Sequence, residues 1–154
     1  MKRAVLVLIL VLAAAIVPGV ARADDAAVAA SVAKWSLRIN PKAQALGSKM
    51  SASTSPDETL VFLRSFTKVG RQGAAAISAT KPSTARGRKL KMLATQAFQS
   101  FGDSGSLLIR AVQMVKAGKS EAEVTPTLNE AITRANAGTT QLRKAATLIA
   151  AIAR

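Results

Sequence analysis

The sequence predicts an all-α protein: an elongated, antiparallel four-helix bundle that follows a cleaved N-terminal signal peptide. Three observations support this prediction. The chain is rich in good helix formers such as Ala, Leu, Lys, Arg and Gln, and aromatic residues make up only 3% of it. Apolar residues recur at alternating spacings of four and three, which is the period of one helix face, and no alternating strand pattern of useful length occurs. Proline and glycine stand between the periodic segments, where helices stop.

The chain begins with the pattern of a secretory signal peptide. Two basic residues, Lys2 and Arg3, precede an uninterrupted apolar run of 14 residues (4–17), and an Ala-Arg-Ala motif follows. This pattern predicts cleavage between Ala23 and Asp24. The alternative is an uncleaved transmembrane anchor, which the run disfavours because a spanning helix needs about 20 apolar residues. We therefore expect a secreted, periplasmic or cell-surface protein.

Removal of residues 1–23 would leave a single domain, 24–154. Its 131 residues are enough to bury a hydrophobic core, and its 19 basic and 8 acidic residues give a net charge of +11. Cysteine is absent from the whole chain, so side-chain packing must stabilise this domain without disulfides.

The first helix is predicted over about 25–39. Its apolar stripe is Val28, Val32, Trp35 and Ile39. Pro41 should end this helix, because a residue before proline avoids the helical region. Residues 41–54 would then form a connection with room for a helical turn or two. A connection of that length leaves the direction of the first helix relative to the second open.

The second helix is predicted over about 56–80 and has the clearest start in the chain. Ser55 is a candidate N-cap, Pro56 takes the first helical position, and Glu58 completes a capping box. The apolar stripe is Phe62, Phe66, Val69, Gly73, Ala76 and Thr80. Lys81 and Pro82 would stop the helix.

The third helix is predicted over about 84–117. Ser83 or Thr84 would cap its start, and Gly118 would cap its end. Its stripe is Leu90, Ala94, Ala97, Phe101, Ser104, Leu108, Ala111 and Val115.

The fourth helix is predicted over about 121–153, with a seam of four heptads. The seam is Val124, Leu128, Ala131, Ala135, Gly138, Leu142, Ala145, Ile149 and Ile152. Its start has two interpretations, because Ser120 and Glu123 form a capping box but Pro126 lies too far inside for an undisturbed helix. Either the first turn kinks at Pro126, or Thr125 caps the main helix and a separate turn precedes it.

Several glycines lie inside the predicted helices, although each costs about 1 kcal/mol relative to alanine in an exposed helix. They are Gly70, Gly73, Gly102, Gly105 and Gly138. Close packing against a neighbouring helix or a phenylalanine explains them. The alternative is a kink or a small cavity near Gly102 and Gly105 that admits an apolar ligand.

The composition excludes the common catalytic and metal sites. Nucleophilic catalysis and zinc sites usually depend on His or Cys, and the chain has neither. Di-iron bundles need a Glu from each of two helices and a Glu-x-x-His motif from each of the other two, whereas no Glu occurs between Thr59 and Ala117. Seven of the eight acidic residues lie near predicted helix N-termini, where the helix dipole favours them, and Asp103 is the exception. We therefore expect a non-enzymatic protein without metal or cofactor.

Short connections around Pro82 and Gly118 place the end of the second helix, the start of the third and the end of the fourth together. That end collects Lys81, Arg86, Arg88, Lys89, Lys91, Arg143, Lys144 and Arg154. The opposite end receives Asp57, Glu58, Glu121, Glu123 and Glu130, partly balanced by Lys116 and Lys119. An antiparallel first helix would bring Asp24 and Asp25 to the basic end.

The cations at the start of the third helix form a candidate anion-binding site. Cations in a first helical turn are disfavoured by about 0.3 to 1 kcal/mol each, so helix stability alone does not explain them. Free backbone N–H groups beside arginine and lysine suit phosphate, sulfate or carboxylate. The candidate residues are Lys81, Arg86, Arg88, Lys89 and Lys91.

The resulting hypothesis is an exported basic bundle that associates with anionic lipid, a cell-wall polymer or another polyanion. Export and the lack of aromatics among the basic residues disfavour nucleic acid. Two alternatives remain: a structural or protein-interaction module whose charge serves solubility, and a carrier of a small apolar ligand in the bundle core.

Overall fold

The computed structural model describes residues 23–50 and 54–152, with side chains up to Ala151. Four α-helices and no strand occur in this part of the chain, which confirms the all-α class. The helices are α1 (Ala23–Lys49), α2 (Pro56–Ser78), α3 (Ala85–Lys116) and α4 (Glu121–Ile152). The predicted signal peptide lies outside the described residues except for Ala23, where α1 begins.

Helix α1 is longer than the sequence predicts. Its stripe (Val28, Val32, Trp35 and Ile39) is buried as expected, but the prediction that the helix ends before Pro41 is wrong. Pro41 has no N–H to donate to the Leu37 carbonyl, which therefore lacks its helical hydrogen bond. Leu37 is 73% exposed, so water can bond this carbonyl instead. Beyond the proline, Ala43 and Leu46 are buried, and their burial favours continuation of the helix.

Contacts at both ends of α1 fix its direction. At its C-terminal end, the Thr59 hydroxyl of α2 donates to the Lys49 carbonyl at 2.8 Å. At its N-terminal end, the Asp25 carboxylate accepts a hydrogen bond from the backbone of Ser83, which follows α2. Helix α1 therefore runs antiparallel to α2, the alternative that brings Asp24 and Asp25 to the basic end.

Helix α2 starts as predicted, because the Ser55 hydroxyl accepts from the Glu58 N–H at 3.2 Å. It ends at Ser78, two residues early, and its buried face is rotated from the predicted stripe. Leu63 and Ile77 are fully buried, whereas the predicted Phe62, Val69 and Ala76 are only partly buried. The rotation follows from packing on two neighbours, α1 and α3, which widens the buried face beyond a single stripe.

Helix α3 is the central helix and packs against each of the other three. Its predicted stripe is buried except for Val115, and a second set of residues is buried beside it: Gly87, Phe98, Gly102 and Gly105. Thr84 is the N-cap, because its hydroxyl accepts from the Gly87 N–H at 3.0 Å. Gly118 has φ +74°, the left-handed conformation expected of a glycine after a helix end.

Helix α4 is one continuous helix through Pro126, so Thr125 does not begin it. Its start carries the predicted capping box, in which Glu123 Oε2 accepts from the Ser120 N–H at 2.9 Å. Pro126 has no N–H to donate to the Ala122 carbonyl. Both residues are exposed, so water can bond this carbonyl and the helix continues. Along the predicted seam, Leu128 is partly buried, the side chain of Ile152 lies outside the described part, and the other seven residues are buried.

The glycines of α2, α3 and α4 mark close contacts between helices. A Cβ on Gly70 would lie 2.7 Å from the Gly102 backbone nitrogen, and one on Gly138 would lie 2.9 Å from the Phe101 ring. Three buried phenylalanines fill the space that these approaches leave, with edge-to-face contacts of Phe101 to Phe66 and Phe98 at 6.5 and 6.1 Å. These contacts favour the packing interpretation of the glycines over a ligand cavity.

Candidate anion-binding surface

The ends of three helices meet at one end of the molecule. The Arg86 guanidinium at the start of α3 donates to the Ala151 carbonyl at the end of α4, at 3.1 Å. The Lys91 ammonium donates to the Thr80 carbonyl just beyond α2, at 2.7 Å. We call this end the basic pole and define it by the five predicted site residues: Lys81, Arg86, Arg88, Lys89 and Lys91.

Three of the five cations have structural partners. Besides Arg86 and Lys91, the Arg88 guanidinium donates to the Ser83 carbonyl at 3.2 Å. Carbonyl groups at helix C-termini lack helical partners and carry partial negative charge, so cations beside them are favourable. Arg86 therefore stabilises the end of α4, whereas Arg88 and Lys91 bond carbonyls in the connection between α2 and α3. These contacts between elements are not visible in the sequence of α3 alone.

The Asp25 carboxylate lies at the N-terminus of α3. It is 3% exposed, and it accepts hydrogen bonds from the Ser83 N–H at 3.1 Å, from the Thr84 N–H at 3.3 Å, and from the Thr84 hydroxyl. A negative group at this position is favoured by the helix dipole. The chain thus supplies its own anion to backbone donors that the sequence-based hypothesis left open to an external ligand.

Gly87 makes room for that carboxylate. A Cβ at this position would lie 2.5 Å from Asp25 Cγ, closer than a Cβ approaches another carbon. The glycine in the first turn of α3 therefore belongs to the same arrangement as Asp25 and Thr84.

Lys81 and Lys89 are the two pole cations that remain available. Both are exposed, and neither makes a hydrogen bond or ion pair within the described part of the chain. Arg143 and Lys144, predicted to join them, are exposed on the last third of α4. Arg154, the remaining member of that group, lies outside the described residues.

The opposite end carries paired charges. The pairs are Lys116–Asp57 at 2.6 Å, Lys119–Glu123 at 2.8 Å and Arg134–Glu130 at 3.6 Å. Hydrogen bonds lower the pKa of Glu123 below its usual value. The largest effect comes from the Lys119 ammonium, and smaller ones come from the backbone N–H and the hydroxyl of Ser120. Exposed pairs of this kind add little stability, but they balance charge locally. Three of the five acidic residues at this end are therefore paired, and Lys49 at the end of α1 is an exposed cation here without an ion pair to any described residue.

A second basic feature lies on the side of the molecule, between α2 and α3. Arg64, Lys68 and Arg71 of α2 and Ser106 and Ile109 of α3 line an open groove of about 500 Å³. The Arg71 guanidinium donates to the Ser106 hydroxyl at 3.0 Å, which fixes one wall. These cations are four and three residues apart, a spacing that is visible in the sequence and predicts one cationic helix face. The prediction of site residues from helix ends and apolar stripes did not include them.

Other site chemistry is sparse. Among residues 23–50 and 54–152, no group of three or more His, Cys, Asp or Glu side chains could hold a metal ion. Within the same ranges, no helix is long and apolar enough to cross a membrane. Asp103 lines a neighbouring groove with Arg71 and Gln99, and no second carboxylate lines it.

The chain matches no protein-family model, and no curated protein or solved structure shows significant similarity to it. Over residues 23–50 and 54–152 the protein is all-α with four helices, and its full sequence carries a net charge of +14.

Proposed function

We propose that this protein is an exported, non-enzymatic helical bundle that binds an anionic component of the cell envelope, or another polyanion, through its basic pole. One observation supports this proposal above others. Lys81 and Lys89 are exposed without partners at the pole, whereas three of the five acids at the opposite end pair with cations. Export rests on the signal-peptide pattern of residues 1–23.

The proposed contact is made mainly by side chains, since Asp25 and Thr84 already accept from the N–H groups of Ser83, Thr84 and Gly87 at the start of α3. Lysine and arginine on an exposed pole attract phosphate or carboxylate groups mainly through Coulomb forces. Salt screens such forces over about 8 Å at physiological ionic strength. Binding should therefore weaken steadily as salt is added.

The test uses Lys81→Gln/Lys89→Gln, which removes two pole charges without breaking a described hydrogen bond. The matched control is Lys34→Gln/Lys49→Gln, which removes two exposed charges elsewhere. We expect the original protein and the control to stay on a polyanion matrix at about 0.3 M salt and the pole variant to elute earlier. The slope of log affinity against log salt should fall by about 1.4 to 1.8 in the pole variant.

Equal elution of the two variants would show that the pole is not the site. A protein that binds neither the matrix nor anionic vesicles would instead favour the structural or protein-interaction alternative, in which charge serves solubility.

A further inference from the structure

The groove between α2 and α3 has its own set of available cations, separate from the basic pole. We propose that it binds one strand of a flexible phosphodiester polymer whose phosphates are joined by short carbon linkers. This inference deepens the proposed function and rests on it, because it names the chemical class of the anionic partner and a second surface that holds it.

The cations of the groove form a row. Arg64, Lys68 and Arg71 lie four and three residues apart on α2, so they share one face of the helix. With a rise of 1.5 Å per residue, successive positions are separated by about 6 Å and about 4.5 Å along the axis. A row of this kind matches charges repeated along a strand, whereas a single small anion would need converging donors.

The groove is open to solvent along its length. Thr67 and Ile109 line it together with the three cations. A flexible chain can follow the row of cations along this groove, with its phosphates beside the charged groups. An anionic membrane can also meet so open a surface, so vesicle binding is one arm of the test.

The side chains suit anions with paired oxygens, of which phosphate is one. Arginine presents a planar fork of donors that pairs with two phosphate oxygens, and Lys68 adds a compact charge between the two arginines. The bond from Arg71 to Ser106 holds one guanidinium in place before a ligand arrives. Because no aromatic side chain lines the groove, it offers nothing for bases to stack on, which disfavours single-stranded nucleic acid.

No acidic residue lines the groove, and no carboxylate forms an ion pair with its three cations within the described residues. None of the three is therefore held in an ion pair, although Arg71 also borders the neighbouring groove that Asp103 lines. This distinguishes them from Lys116, Lys119 and Arg134, which have acidic partners.

The experiment measures binding of a fluorescent poly(glycerol phosphate) oligomer by anisotropy at several salt concentrations. The variant Arg64→Gln/Lys68→Gln removes two charges and keeps the Arg71–Ser106 bond, and Lys34→Gln/Lys49→Gln is again the charge-matched control. We expect the groove variant to lose about tenfold in affinity or more. Its salt slope should fall by about 1.4, at about 0.7 for each phosphate contact on a single strand. The control should keep its slope.

Further arms separate this inference from the proposed function. If the original protein binds neither the oligomer nor anionic phospholipid vesicles, the proposed function fails. If it binds the oligomer but the groove variant behaves as the control does, only the groove assignment fails. An equal loss of vesicle binding in the groove variant would make the membrane the occupant and overturn the polymer proposal. Inorganic polyphosphate that binds as tightly as the oligomer would overturn the role of the carbon linkers.

Discussion

The Asp25 carboxylate changes the interpretation of the cations around it. From the sequence, arginine and lysine in the first turns of a helix looked unfavourable and therefore functional. In the structure, Asp25 accepts from N–H groups at the start of α3, Arg86 bonds a carbonyl in the last turn of α4, and Lys91 bonds a carbonyl just beyond α2. The sequence predicted that the ends of these three helices meet, and the contacts of Arg86 and Lys91 agree with that. It could not reveal their partners, because those lie 65 and 11 residues away along the chain.

Gly87→Ala tests the contact between Asp25 and the start of α3 by adding a single methyl group. Alanine normally stabilises a helix interior by up to about 1 kcal/mol relative to glycine. At this position its Cβ would push the Asp25 carboxylate aside and weaken its hydrogen bonds, at a cost equivalent to about one hydrogen bond to a charged group, about 1.5 to 3 kcal/mol. We expect a net loss of about 1 to 2 kcal/mol in the free energy of unfolding, measured by urea denaturation.

Gly47→Ala is the matched control, because a Cβ on Gly47 meets nothing within 4 Å. It should be neutral or stabilising. If Gly87→Ala stabilised the protein to the same extent, the contact with Asp25 would not constrain this position.

The N-caps of α2, α3 and α4 were predictable because each capping residue and its partner lie three residues apart. The caps at Ser55, Thr84 and Ser120 all form with the partners that the local sequence supplies. Helix continuation through proline was not predictable. Whether α1 stops at Pro41 depends on apolar surface that α2 and α3 offer to the following turns, and this is tertiary information. The rotated face of α2 has the same cause, since a helix with two neighbours buries more than one stripe.

Pro41→Ala should stabilise the protein. Alanine would restore the backbone hydrogen bond to Leu37 and remove a helix penalty of about 3 kcal/mol. Proline offsets part of this by restricting the unfolded chain, an effect of about 0.4 to 1 kcal/mol. We expect a gain of about 2 kcal/mol in the free energy of unfolding, seen as a higher midpoint in urea. A lower midpoint would contradict this account, because it would mean that α1 packs better with proline at this position.

Glu123 gives the start of α4 a dependence on pH. Because its pKa is lowered in the folded state, its contribution to stability is present above the ordinary value of 4.5 and is lost as pH falls through the lowered pKa. An NMR titration of Glu123 should give a midpoint below 4.5. Lys119→Gln should raise that midpoint more than Ser120→Ala does, because the ammonium is the largest cause of the shift. An unchanged midpoint in Lys119→Gln would contradict this account.

The assembly of the four helices was predictable in class but not in detail. Short connections after α2 and α3 required antiparallel neighbours, and that inference correctly placed the basic and acidic ends. The direction of α1 stayed open because residues 41–54 could span either way, and only contacts at its two ends decide it. The groove between α2 and α3 was missed because it needs two helices side by side, a relation that the pattern of one helix does not contain.

The separation of charge between the two ends affects how the molecule would approach an anionic surface. Helices α3 and α4 each extend about 48 Å, so unpaired cations near one end and balanced pairs near the other give the molecule an electric dipole moment along its length. In the field of an anionic surface such a dipole turns before contact, and productive collisions become more frequent than random orientation allows. The protein would approach pole first, with an association rate that falls as ionic strength rises.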